Sequence, residues 1–200
     1  MAIEEQSYSI YVISLVAVIN GLGIVHLLTA LSEYIKKRTN LNIQYYWVHT
    51  LSIVFQLLMH LLVWWLFVGL HKFGNLNFLS YLYMLIGPTL LFLSTTLMIP
   101  DIKGESINLR SEYYSIRKVF FSLLAAFYLW TIFIWPVLGH SFAPTVPLLI
   151  VFFLIALTLS ITDRPKIHAT LIIANYVVYI AFIVLFATHL SELGRVITEH

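Results

Sequence analysis

The chain is 200 residues long, 60% apolar and 10% charged, with a mean hydropathy of +0.92. Soluble domains carry about 45–50% apolar and about 25% charged residues, so an ordinary soluble domain is excluded and an all-α polytopic membrane protein is indicated. A formal charge of +2 is too small to suggest a nucleic-acid partner, which needs a concentrated basic face, and the lack of cysteine rules out disulfides, thiolate metal sites and cysteine nucleophiles.

The N-terminal stretch Met1 to Tyr8 contains Glu4 and Glu5 and no basic residue. A cleavable signal peptide starts with a basic segment, so the first hydrophobic run is expected to be retained. A helix needs about 20 mostly apolar residues to cross about 30 Å of hydrocarbon. Six segments meet or approach this, at about 10–31, 48–70, 78–99, 119–139, 145–161 and 169–190. They are expected to form one six-helix transmembrane domain over residues 1–200. The fifth is the shortest and carries Pro144 and Pro147 in its first turn, where proline is tolerated.

Orientation follows from lysine and arginine in short loops. Lys36, Lys37 and Arg38 follow span one; Lys103, Arg110, Arg117 and Lys118 follow span three; Arg164 and Lys166 follow span five. Only Lys72 and Arg195 fall on the other side. Both termini are therefore expected outside, with the basic loops in the cytoplasm. Tyr45, Tyr46, Trp47, Tyr113 and Tyr114 would mark the inner interface; Tyr8, Tyr11, Trp64, Trp65 and Trp135 would mark the outer one. Asn40-Leu41-x3-Tyr45-Tyr46 and Asn108-Leu109-x3-Tyr113-Tyr114 repeat at an offset of 68 residues. The pair reads either as a trace of duplication, as in many transporters, or as two interfacial anchors.

Polar groups inside hydrocarbon are costly, so their positions point to a site. All nine acidic residues lie outside the spans or at their ends, and no basic side chain sits deep, which argues against a carboxylate-driven antiporter and an arginine-based voltage sensor. Histidines and amides remain. His49, His60 and His71 are spaced by 11 residues, close to three helical turns, and Gln56 falls on the same face. On span one, Gly21, Gly23, His26, Thr29 and Glu33 run toward the inner surface, where His26 is expected at the depth of His49. The candidate polar pocket is thus His26, Glu33, His49, Gln56 and His60, with Asn175 the only strong amide of span six. Gly87-Pro88 near the middle of span three is a candidate helix break, because proline removes a backbone hydrogen bond.

No G-x-S-x-G, H-E-x-x-H, G-x-x-x-x-G-K-[ST] or G-x-G-x-x-G motif occurs, and no two histidines are three or four residues apart. No catalytic residue, metal site or cofactor is called for. A haem between His26 and His49 is the one redox arrangement that the geometry allows.

The run Tyr45-Tyr46-Trp47-Val48-His49, followed by Trp64-Trp65, Gly87-Pro88 and Pro100-Asp101, resembles a group of small bacterial membrane proteins known chiefly from genome sequences. The resemblance covers about residues 10–125. It implies a multi-pass protein of the bacterial inner membrane and supplies no activity and no catalytic residue. The first expectation for function is a small channel or transporter, or a subunit of one, for a weakly polar solute or ion. The alternatives are a membrane-embedded regulator or interaction partner without transport, and a haem- or metal-binding redox protein. The expected partners are the lipid bilayer and either a second copy or another membrane protein.

Overall fold

The computed structural model describes residues 2–37, 42–69, 78–100, 106–139 and 141–187. Asn40, Leu41, His71, Lys72, Asp101, Lys103 and Arg195, and with them parts of the repeat and of the charge pattern, lie outside the described residues.

Among the described residues six helices follow one another: α1 (Ala2–Lys37), α2 (Trp47–Gly69), α3 (Phe78–Met98), α4 (Leu109–Val137), α5 (Val146–Ile161) and α6 (Pro165–Phe182). A π-turn, Ile183–Ala187, extends α6. Five of the helices are long and apolar enough to cross a membrane, and α5 is shorter and apolar. In hydrocarbon a backbone must satisfy its own hydrogen bonds, and uninterrupted helices do so. Their outer faces carry Val18, Leu61, Trp65, Leu154, Val177 and Ile180, all exposed, which suits contact with acyl chains.

Around the bundle the helices neighbour one another in the order α1, α3, α4, α5, α6, α2, and α2 closes the ring against α1. Helix α2 also touches α3 and α4, so two of its flanks are covered while Val54, Leu61 and Trp65 stay exposed. On one side Phe55 meets the rings of Phe152, Tyr176 and Tyr179, while the hydroxyls of Tyr176 and Tyr179 donate to the carbonyls of Leu51 and Leu58. The other side faces α1 and α3. Apolar packing between α4 and α5 centres on Tyr128 stacked on Phe152, 5.1 Å between centroids.

One departure from the sequence reading concerns α4. It starts at Leu109, ten residues before the crossing expected from hydropathy at about 119. The part of the expected cytoplasmic loop between spans three and four that runs from Leu109 is therefore helical. The reason is local. The Asn108 side chain accepts from the backbone N–H groups of Arg110 and Ser111, an N-cap worth about 1 kcal/mol, and Glu112 in the first turn opposes the helix dipole. At the far end Gly139, at φ 84°, takes the left-handed conformation that stops the helix.

The connections after α1, α3 and α5 gather at one end. Residues Asn42–Gln44 (β1) and Ser106–Asn108 (β2) pair in parallel, with Ile43 opposite Ile107. Arg117 in α4 donates from Nε to the carbonyl of Thr162 (3.1 Å) and pairs with Asp163, both in the α5–α6 turn. The two Tyr-Tyr pairs of the sequence repeat sit in different local structure. Tyr113 and Tyr114 belong to the first turns of α4, whereas Tyr45 and Tyr46 form the link before α2.

Candidate functional site

The polar residues of α2 lie at positions 49, 52, 56 and 60, a spacing of three to four that keeps them on one face. Facing them on α3 are Leu91, Ser94, Thr95 and Met98, at the same periodicity. Two α1 residues, Asn20 and Gly23, complete the seam. Every one of these side chains is buried.

The bonds run from the inner end upward. His49 Nε2 donates to the Met98 carbonyl (3.0 Å), which fixes its tautomer and leaves Nδ1 as a buried acceptor without a partner. Ser52 donates to the Val48 carbonyl (2.8 Å). Gln56 Nε2 donates to Ser94 Oγ and to Thr95 Oγ1 (3.1 Å), and its Oε1 has no partner. His60 Nδ1 lies 2.7 Å from Asn20 Oδ1, while Asn20 Nδ2 donates to the His60 carbonyl (2.9 Å). Asn20 thus reads both a side-chain and a main-chain group of the same residue. With its Nδ1 proton given to Asn20, the His60 ring accepts at Nε2 from Thr95 Oγ1, 2.9 Å away. The Leu91 carbonyl, the other acceptor within reach of Thr95, is also served by Ser94 at 2.8 Å. The proton of Thr95 is therefore available to His60.

Gly23 explains how an imidazole fits between two helices. A β-carbon at this position would stand 2.2 Å from His60 Cε1 and 2.5 Å from Nε2. Only glycine lets α1 lie over the ring, the small-residue approach common in membrane helix contacts.

The structure brings His49, Gln56 and His60 onto one seam and does not bring His26 or Glu33 to it. Both are exposed on α1, on the flank away from the buried face formed by Val16, Asn20, Gly23 and Leu27. The two histidines do not face each other as a shared haem would need: His26 is exposed on a flank of α1, whereas His49 is buried against α3. Asn175 is buried elsewhere, close to the Tyr128 hydroxyl and out of hydrogen-bonding geometry with it. Among the described residues no three His, Asp or Glu side chains gather as a metal site would need.

Gly87 and Pro88 are buried inside a continuous α3. A β-carbon on Gly87 would stand 2.2–2.4 Å from the Trp130 ring. Trp130 Nε1 donates to the Tyr83 carbonyl (2.8 Å) and Thr89 Oγ1 to the Leu85 carbonyl (2.8 Å). Side chains thus serve the carbonyls on either side of Met84, whose own helical donor proline removes. The Gly-Pro pair is a socket for an α4 tryptophan.

A second polar cluster joins α4 to α6 at the end carrying the basic loops. His168 Nε2 donates to the Thr162 carbonyl (2.9 Å), so its Nδ1 accepts from the Tyr113 hydroxyl (2.8 Å). The Tyr113 ring packs edge-on against Tyr46, 5.5 Å between centroids, and the Tyr46 and Tyr114 hydroxyls are 3.3 Å apart. Burial first, and the Tyr114 hydroxyl second, hold the Tyr46 phenol above the usual tyrosine range.

Sequence reasoning missed Asn20 and His168. An amide in the middle of an apolar run was the available signal for Asn20, equal in weight to that of Asn175. His168 falls just before the expected start of span six and reads there as a loop residue. No family model, no curated protein and no solved structure matches the chain.

Proposed function

We propose that this multi-pass membrane protein acts through interaction, as a membrane-embedded regulator or assembly partner, and does not carry a solute. The observation that carries this reading is the closure of the α2 stripe. The groups that made a path attractive, His49, Gln56 and His60, are each turned inward and bonded directly to α1 or α3. A solute moving along that face would have to separate α1 from α2 and break the Asn20–His60 pair. The orientation that goes with the reading, both termini outside in a bacterial inner membrane, draws support from the gathering of the basic connections at one end. Exposed cations there, such as Arg110, Lys118, Arg164 and Lys166, would attract anionic headgroups by about 1 kcal/mol each.

Transport is the second reading, and one observation favours it. His49 Nδ1 and Gln56 Oε1 are buried acceptors without a partner on the same seam, and a polar solute could use them if α1 moved aside. Reconstitution into liposomes with a solute and ion panel separates the two readings. The interaction reading expects no flux above empty liposomes, and co-purification of a partner from native membranes. Flux that is abolished by His60→Leu would overturn it in favour of transport.

A further inference from the structure

We propose that α1 is the interface of a homodimer, paired in parallel along the seam Leu15, Ile19, Leu22, His26 and Thr29. These positions follow one another at intervals of four, three, four and three residues, the repeat of a left-handed helix pair. Leu15, Leu22, His26 and Thr29 are exposed and Ile19 is half-buried. The neighbouring face of α1, one residue or about 100° further round the helix, is already committed to α2 and α3 through Val16, Asn20, Gly23 and Leu27.

His26 decides that this face is covered by protein. In the apolar run Ile13–Lys36 it stands ten residues from the Lys36 end, about 15 Å at 1.5 Å per residue. Gly23, three residues before it, packs on His60 near the middle of α2, so His26 lies deep in the hydrocarbon layer and not, as the sequence reading expects, at the depth of His49 near the start of α2. An imidazole there is out of reach of either headgroup region, and acyl chains offer its N–H and its lone pair nothing.

A second copy is the occupant that the residues favour. Copies inserted in one membrane share an orientation, so a two-fold axis along the membrane normal sets α1 beside α1 in parallel and in register. Each His26 then meets the same residue, and the Thr29 hydroxyl one turn away, of the second copy. A neutral imidazole has one donor and one acceptor, so the pairing is self-complementary. A single polar residue within an apolar heptad seam is also the device that fixes register and oligomeric state. The inference is independent of whether the protein carries a solute.

The absence of cysteine makes the test clean. Leu22→Cys, Thr29→Cys, Val18→Cys and Val25→Cys are introduced singly and oxidised in vesicles of phosphatidylethanolamine and phosphatidylglycerol. The expected result is a disulfide-linked dimer from positions 22 and 29 and little from 18 and 25. Dimer dissociation is followed by fluorescence energy transfer on dilution with lipid. His26→Leu removes two symmetric hydrogen bonds and weakens dimerisation about sevenfold; His26→Asn restores most of it. Unchanged thermal unfolding of His26→Leu verifies that the bundle is intact. A monomer at all dilutions, equal crosslinking from positions 18 and 25, crosslinks only to a different protein in native membranes, or full dimerisation of His26→Leu would each overturn the proposal.

Discussion

Replacing Gly23 with alanine sets helix propensity against packing, and the structure says which wins. Alanine is favoured over glycine inside a helix by about 1 kcal/mol. At position 23 the new methyl would stand 2.2 Å from His60 Cε1, well inside contact distance, so the ring must move. Moving it stretches the bonds to Asn20 (2.7 Å) and Thr95 (2.9 Å), worth about 0.6 kcal/mol each on average in membrane bundles. Overpacking adds about 1–3 kcal/mol. The balance is a loss of about 2 kcal/mol for Gly23→Ala. Gly21→Ala is the internal control, since a β-carbon there meets nothing within 4 Å. It should gain up to about 1 kcal/mol, leaving the two variants about 3 kcal/mol apart. Unfolding free energies in bilayer discs, measured by steric trapping, make the comparison. His60→Ala should remove the penalty from Gly23→Ala in the double variant. Equal stability of the two alanine variants would refute the account of the seam.

Three further outcomes follow from contacts elsewhere. Gly87→Ala should destabilise by about 2–3 kcal/mol through overpacking against Trp130, and Trp130→Ala, itself costly, should make Gly87→Ala nearly neutral when combined; the double-mutant cycle by the same unfolding assay checks this. Asp163→Asn should cost under about 0.5 kcal/mol because its side chain is 73% exposed. Arg117→Met should cost more, since Arg117 is largely covered and also donates to the carbonyls of Thr162 and Tyr114, and hydrogen exchange of the α5–α6 turn should rise in that variant alone. The raised pKa of Tyr46 means that the folded state holds this proton more tightly than the unfolded one. Its contribution to stability is complete below the ordinary tyrosine pKa near 10 and is lost as pH climbs through the higher folded value. Tyrosinate absorbance up to pH 11 should therefore be the same in the wild type and in Tyr46→Phe.

The sequence made the helices and the α2 stripe legible for different reasons. Helices longer than about 20 apolar residues leave little choice in a bilayer. The stripe was visible because His49, Gln56 and His60 share a helical period, which is a property of one element. What met the stripe was not visible. His26 and Asn20 are both polar and both within the first span, and they lie on different faces of α1. Which face turns inward depends on the glycine at 23 and on the mate presented by α2, neither of which periodicity encodes. The same limit applied to Gly87-Pro88. The proline marked a candidate helix break, and the packing of Trp130, 43 residues away, against Gly87 depends on tertiary placement that the local sequence does not encode. The start of α4 was misplaced because hydropathy detects lipid contact and not helix, whereas the Asn108 cap that begins the helix is a local polar signal.

The β1–β2 pair has a consequence for the order of assembly. Parallel neighbours cannot be joined by a tight turn and need a long return path, which α2 and α3 supply by leaving the end of the bundle and coming back to it. The six-residue clasp can therefore close only after the chain has made both of those trips. A probe on Ile43 and Ile107 would report the moment at which the α2–α3 excursion is complete during synthesis into a bilayer.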